Sequence, residues 1–394
     1  MDNNKNKVSR KEILPAFLIS LAGIIVLFII MNSVNPKLSG NSSVPDFVAI
    51  LTGAAGGEIS SKAMWFLSDF TETTFLACPL ASVFMIVFAF IASALEKKKS
   101  RFAGTGVSGS SAVFGKLFLS ACISMILGLL VFGSFFEKGF IPTFASFLTV
   151  QAFILFYGAD IKKIVTSIVI GTPITFLACH YILQYVITPL GLPLFLSVSA
   201  GIFVAVPVCS WIFRLLPWMT PAAPAAPGES GPFVPSRFFV NQIFGDIGSL
   251  ALWGSSLATI GMYFGAIISW ILNPLSPAYS LNIFPTFMAA QLLTAALAIF
   301  VFYPAWRKNG MAFTFASVVI TSAILSTYPA HPVIIILTIV YAALVGAPCV
   351  DLSLKLFKFK GQIHPLPFIQ FGILVAVVIW SYVIKLVLIP LCCA

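Results

Sequence analysis

Charge is scarce in this 394-residue chain: Asp, Glu, Lys and Arg together make up only 9% of it, and just 12 residues are acidic. A water-soluble domain carries roughly 25% charged residues, so a soluble globular protein is excluded. Histidine is scarcer still, three in all, and neither a His-x-x-x-His nor an Asp-x-x-Asp cluster occurs. Enzymes that work at a membrane surface need such clusters, so the chain reads as a non-enzyme with no catalytic residue, resident cofactor or metal site. Cys78, Cys122, Cys179, Cys209, Cys349, Cys392 and Cys393 fall mostly inside apolar runs without metal-ligand spacing. They read as small buried hydrophobes rather than disulfides. A G-x-x-x-x-G-K-[ST] loop is absent, and no soluble segment is large enough to house an ATPase. Strict alternation of apolar and polar residues is also missing, which excludes a β-barrel.

What the chain has instead is hydrocarbon: 59% hydrophobic residues and a mean hydropathy of +1.05. Apolar runs of about 20 residues, the length that crosses a bilayer, recur from end to end. The expected fold is an all-α polytopic membrane protein with about 11 transmembrane helices, over 13–32, 60–95, 112–135, 140–157, 161–188, 191–215, 247–272, 282–305, 311–328, 331–350 and 366–391. The net charge of +10 marks cytoplasmic loops rather than a nucleic-acid surface. With the N-terminus inside, 18 of the 22 Lys and Arg residues fall on the cytoplasmic side and only Lys37, Lys62, Lys138 and Lys385 outside, a strong positive-inside bias. This predicts a multi-pass plasma (bacterial inner) membrane protein with its C-terminus outside.

Two halves of the chain echo one another. Val113-Phe114, Val131-Phe132 and Thr143-Phe144-Ala145-Ser146 return as Ile283-Phe284, Val301-Phe302 and Thr314-Phe315-Ala316-Ser317. Gly171-Thr172-Pro173 returns as Gly346-Ala347-Pro348, and Gly57-Glu58-Ile59 as Gly245-Asp246-Ile247. Loop charge flips between the copies, as expected for five-helix repeats of inverted topology. The expected organisation is a cytoplasmic tail (1–12), a first helix (13–32), repeat 1 (45–216), a Pro/Ala-rich cytoplasmic linker (217–236) and repeat 2 (237–394), with a Gly-x-Pro-broken fourth helix in each repeat. Crossover-helix antiporters and bile-acid-type symporters share that arrangement; the likeness is one of architecture only.

Acids inside membrane proteins are functional hypotheses by default. Glu58 and Asp246, each read as opening a helix, are candidates for binding Na+ or carrying H+, or else for capping that helix. Interrupted helices free backbone groups toward a cavity, which adds Gly171, Thr172, Pro173, Thr175 and His180 at the first break and Gly346, Pro348 and Asp351 at the second. The competing reading is a kink satisfied by neighbouring helices. Asp69 and Glu72 share a helix face and read more simply as a solvated external surface than as a cation vestibule. Gln151, Asn241, Gln242, Gln291 and Gln370 are further polar positions, equally suited to bonding between helices.

These observations predict a secondary active transporter that moves a small solute, an organic anion being one class, by alternating access. Na+ or H+ would be its coupling ion. Its partners would be the lipid bilayer and a small-molecule substrate, not nucleic acid, and a homo-oligomer is compatible with the chain. The competing readings are a membrane subunit of a larger permease system and a lipid-handling protein.

Overall fold

The computed structural model describes residues 10–100, 102–107, 111–138, 142–222 and 233–392. Expectations resting on residues 1–9, Arg101, 108–110, 139–141, 223–232 and 393–394 lie outside them. Helix is the only regular structure among the described residues. The medium explains this: in hydrocarbon each backbone N–H and C=O must be satisfied within the chain, which a helix does by itself. In chain order the helices are α1 (Leu14–Val34), α2 (Phe47–Ala55), α3 (Ile59–Glu72), α4 (Pro79–Lys97) and α5 (Ser111–Phe132). Then come α6 (Thr143–Tyr157), α7 (Ile161–Ile182), α8 (Thr188–Leu190), α9 (Phe195–Phe213), α10 (Pro235–Gly248) and α11 (Ser256–Leu272). The chain closes with α12 (Phe284–Asn309), α13 (Phe315–Leu325), α14 (Pro332–Leu356), α15 (Leu366–Val383) and α16 (Ile389–Cys392).

Among the described residues, 8 helices are long and apolar enough to cross a membrane: α1, α4, α5, α7 run on into α8, α9, α12, α14, and α15 run on into α16. The other three expected crossings differ. The segment 247–272 holds the end of α10 and the whole of α11, which meet at an 80° bend. At about 1.5 Å per residue, the 15 residues of α6 and the 11 of α13 fall short of the ~30 Å hydrocarbon layer. Both are buried nearly all round, as a helix that is apolar on every face must be when it sits inside a protein. The outer helices reverse this pattern, with Ile19 of α1, Leu130 of α5 and Ile336 of α14 exposed while Ser, Thr and Gln lie inside. An apolar exterior around a polar interior suits a bilayer.

The tightest helix pair is α4 against α11. A Cβ placed on Gly265 would fall 2.7 Å from the Leu80 carbonyl oxygen and 2.9 Å from Phe84 Cβ; one on Gly261 would fall 2.6 Å from Phe88 Cβ. Gly261 and Gly265 form a G-x-x-x-G stripe, which lets helix backbones approach closely. Helices α9 and α15 also pack together, joined by a hydrogen bond from Ser199 Oγ to Gln370 Oε1 (2.8 Å).

The Gly-x-Pro motifs do not break their helices. α7 continues through Pro173 and α14 through Pro348. Membrane helices absorb a proline when neighbours satisfy the groups it frees, and the glycine serves close packing instead. A Cβ on Gly346 would lie 2.6 Å from the Ser317 backbone nitrogen at the start of α13, and one on Gly171 3.1 Å from the Phe153 ring on α6.

The loop into α15 carries a pH-dependent contact. The half-buried His364 accepts a hydrogen bond at Nδ1 from the Leu366 N–H (3.1 Å), and burial holds its imidazole down at about 4. A lowered folded value means the unfolded chain binds the proton first. This contribution to stability is therefore whole above the ordinary value of about 6.5 and fades as pH falls toward 4. His364→Gln is expected to reduce the drop in melting temperature between pH 7 and pH 4.5; an unchanged drop would remove His364 from that role.

Candidate functional site

The interruptions lie between α3 and α4 and between α10 and α11, and they are built alike. Counting back from the first residue of the following helix, the fourth and second residues are left-handed in both. These are Phe75 (φ 63) and Ala77 (φ 47) in the first, Leu252 (φ 57) and Gly254 (φ 61) in the second. A left-handed bulky residue is costly and persists only where its surroundings enforce it. At the first break the Thr71 hydroxyl does so, accepting from the Cys78 N–H (3.1 Å) and approaching Ser82 Oγ (2.9 Å). The whole stretch from Ser68 to Cys78 is buried.

Each break carries an aspartate ten residues before the helix that follows: Asp69 and Asp246, 0% and 2% exposed. Each aspartate meets a threonine at the entrance to a short encased helix. Thr143 donates to Asp69 Oδ2 (2.5 Å) and accepts from the Trp65 indole (3.0 Å). Thr314 faces Asp246 and accepts from the Trp306 indole (3.3 Å), while Gln242 donates to Asp246 Oδ1. The first break holds a second acid, Glu72, 1% exposed, which faces Tyr279 and feels the charge of Asp69. Ser68 Oγ, Asp69 Oδ1, both Glu72 oxygens and Asp246 Oδ2 are buried without a hydrogen-bond partner. No Lys or Arg is buried among the described residues.

Two carboxamides hold the break carbonyls. Gln291 of α12 donates to the Thr74 oxygen (2.9 Å) and to Ser322 Oγ (2.9 Å) and accepts from the Tyr263 hydroxyl (2.8 Å). Gln151 of α6 donates to the Ala251 oxygen (3.0 Å) and accepts from the Trp253 indole (3.1 Å). Thr74 and Ala251 each stand five residues before the following helix. Each break is also covered by the loop that leaves the other break's second helix. After α11, Ala278 N–H donates to the Leu76 oxygen (2.9 Å). After α4, Thr105 Oγ1 donates to the Gly254 oxygen (2.7 Å) and accepts from Ser256 N–H (2.7 Å). Beside this second contact lies a cavity of about 350 Å³ lined by Phe102, Gly104, Arg237, Asn241, Ser256, Leu257 and Ile260.

No family model, curated protein or solved structure matches this chain.

The structure separates the expected pair of acids. Glu58 does open α3, but it is exposed and meets only Ser61 Oγ (2.9 Å). Asp246 does not open a helix: it lies in the last turn of α10. Residues 235–248 are helical because Pro235 pre-sets the first turn and Phe239, Ile243 and Ile247 supply a buried stripe. Thr172 is buried, its hydroxyl 2.9 Å from Ser124 Oγ and its carbonyl accepting from Ser146 (3.4 Å). Thr175 Oγ1 is buried without a hydrogen-bond partner. His180 packs between the rings of Phe135 and Phe176, at 4.5 and 5.9 Å. Asp351 is exposed, one turn before Lys355.

Asp69 and Glu72 overturn the reading of a solvated face. Their surroundings carried the signal, since Phe66, Phe70, Phe75 and Leu76 flank them and no basic residue follows until Lys97. The Thr-Phe-Ala-Ser repeat had already marked Thr143 and Thr314.

Proposed function

We propose that this chain is a secondary active transporter of the plasma (bacterial inner) membrane. In this reading two five-element units, α3–α9 and α10–α15, have opposite orientations and alternate access to the buried acids. The observation that carries it is the reciprocity of the α4–α11 contact. Aligning the starts of α4 and α11 makes Phe84 the counterpart of Gly261 and Phe88 that of Gly265. Phe84 then touches Gly265 while Phe88 touches Gly261, the pattern that a two-fold axis through the contact generates. Ser199 and Gln370, each four residues into α9 and α15, bond to one another. The twin left-handed breaks and the two Asp–Thr pairs support the same axis.

Inverted repeats with interrupted helices at their meeting point are the build of many secondary transporters. Among the described residues, three buried carboxyls without a buried Lys or Arg favour a cation or proton as the exchanged charge over an organic anion bound at these acids. The loop charges favour a cytoplasmic N-terminus and an external C-terminus.

The test is electrical. Purified protein in proteoliposomes on a solid-supported membrane is exposed to a panel of amino acids, carboxylates, nucleosides and inorganic ions. A transient current is expected for at least one solute, falling tenfold or more in Asp246→Asn while the variant stays monodisperse. Silence across the panel, with stabilisation by added lipid alone, would move the protein to the lipid-handling class.

A further inference from the structure

We propose that Ser68, Asp69 and Glu72, at the end of α3, form a binding site for a hard cation of the sodium type. The residues are spaced so that Ser68 and Asp69 each stand a turn from Glu72 on one helical surface. Four of their oxygens, Ser68 Oγ, Asp69 Oδ1 and both of Glu72, are buried without a hydrogen-bond partner. A buried, unsatisfied carboxylate is costly, and here two adjoin each other. No nitrogen or sulfur belongs to the set, and an all-oxygen environment suits alkali and alkaline-earth ions rather than transition metals. Thr143 occupies the remaining Asp69 oxygen and fixes that carboxylate's orientation.

The second break sharpens the assignment. The residue seven before α11 is Ser249, where the first break has Glu72 seven before α4. Two carboxylates therefore meet at the first break alone, and the ion belongs there. Tyr279, which faces Glu72 from the loop after α11, closes the site on that side. Ion entry then requires this loop to move; Ala278, Tyr279, Ser280 and Asn282 are left-handed there. The inference deepens the transport reading and rests on it only for the ion's role as driver.

The test uses the full-length protein in detergent, with melting temperature followed in NaCl, KCl or CaCl2 against choline chloride at matched ionic strength. Sodium is expected to raise the melting temperature saturably. Glu72→Gln should weaken the apparent sodium affinity at least tenfold, and exposed Glu58→Gln should leave it unchanged. If Glu72→Gln does not fold, Ser68→Ala serves, with an expected loss of about threefold. Equal melting temperatures in sodium and choline, an undiminished shift in both variants, or a shift with calcium alone would overturn the proposal. Solute currents that persist undiminished in choline would overturn sodium's role as driver and leave transport standing. Saturable sodium binding without current for any solute would sink transport and leave the site.

Discussion

Gly265→Leu is expected to abolish accumulation of folded protein. A Cβ at this position already falls 2.7 Å from the Leu80 carbonyl oxygen and 2.9 Å from Ala81 Cα. Both obstacles are backbone atoms of α4, which cannot swing aside as a side chain can. Overpacking a core costs about 1–3 kcal/mol when neighbours adjust; Gly265→Ala should fall in that range, and the leucine should exceed it. Native stability as a whole is only about 5–15 kcal/mol. Fluorescence-detected size-exclusion of detergent extracts checks this: a monodisperse peak is expected for the wild type, a reduced one for Gly265→Ala and none for Gly265→Leu. Gly310→Ala is a poor control because its φ of 70° is itself strained for alanine, whereas Gly115, with nothing within 4 Å of an added Cβ, is a sound one. A normal peak from Gly265→Leu would mean that α4 and α11 are not wedged together.

Gln291→Met is expected to be the next most damaging change. The glutamine contacts α3's end, α11 and α13 at once, through the Thr74 oxygen, the Tyr263 hydroxyl and Ser322. Methionine keeps the bulk and removes the polar groups, leaving a buried carbonyl and a buried phenol without partners. Each orphan costs about 1–3 kcal/mol, so a loss of about 3 kcal/mol or more is expected. Gln151→Met, which frees one carbonyl and one indole N–H, should cost somewhat less. Melting curves of the two variants in detergent settle the order. The expected deficit would be absent if the Thr74 carbonyl found water or another donor, and a near-wild-type Gln291→Met would show that it does.

The membrane class was legible from composition, because little charge and recurrent long apolar runs suit a bilayer. Helix positions were legible wherever an apolar run was uninterrupted, as in α1, α5 and α12. Two short helices, α6 and α13, were also marked by their runs, but hydrophobicity cannot tell a helix facing lipid from one facing protein, so both passed for full crossings. The breaks were sought at Pro173 and Pro348, where the sequence has its best-known helix breaker. They lie instead at Phe75–Ala77 and Leu252–Gly254, where tertiary contacts impose left-handed turns on Phe75, Ala77 and Leu252, residue types that rarely adopt them. Asp69 was misjudged for a related reason: its partner Thr143 is remote in sequence, and only folding brings the hydroxyl to the carboxylate. Glu58 and Asp246 matched as letters but not as positions, because Glu58 precedes α3 whereas Asp246 lies in the last turn of α10.

The crossed loops have a mechanical consequence. The loop leaving α4 seals the break in front of α11, and the loop leaving α11 seals the break in front of α4. Because α4 and α11 are wedged together at Gly261 and Gly265, a shared tilt of the two helices would load both covering loops at once. If the proposed transport holds, that interlock would disfavour a state in which both breaks stand open together.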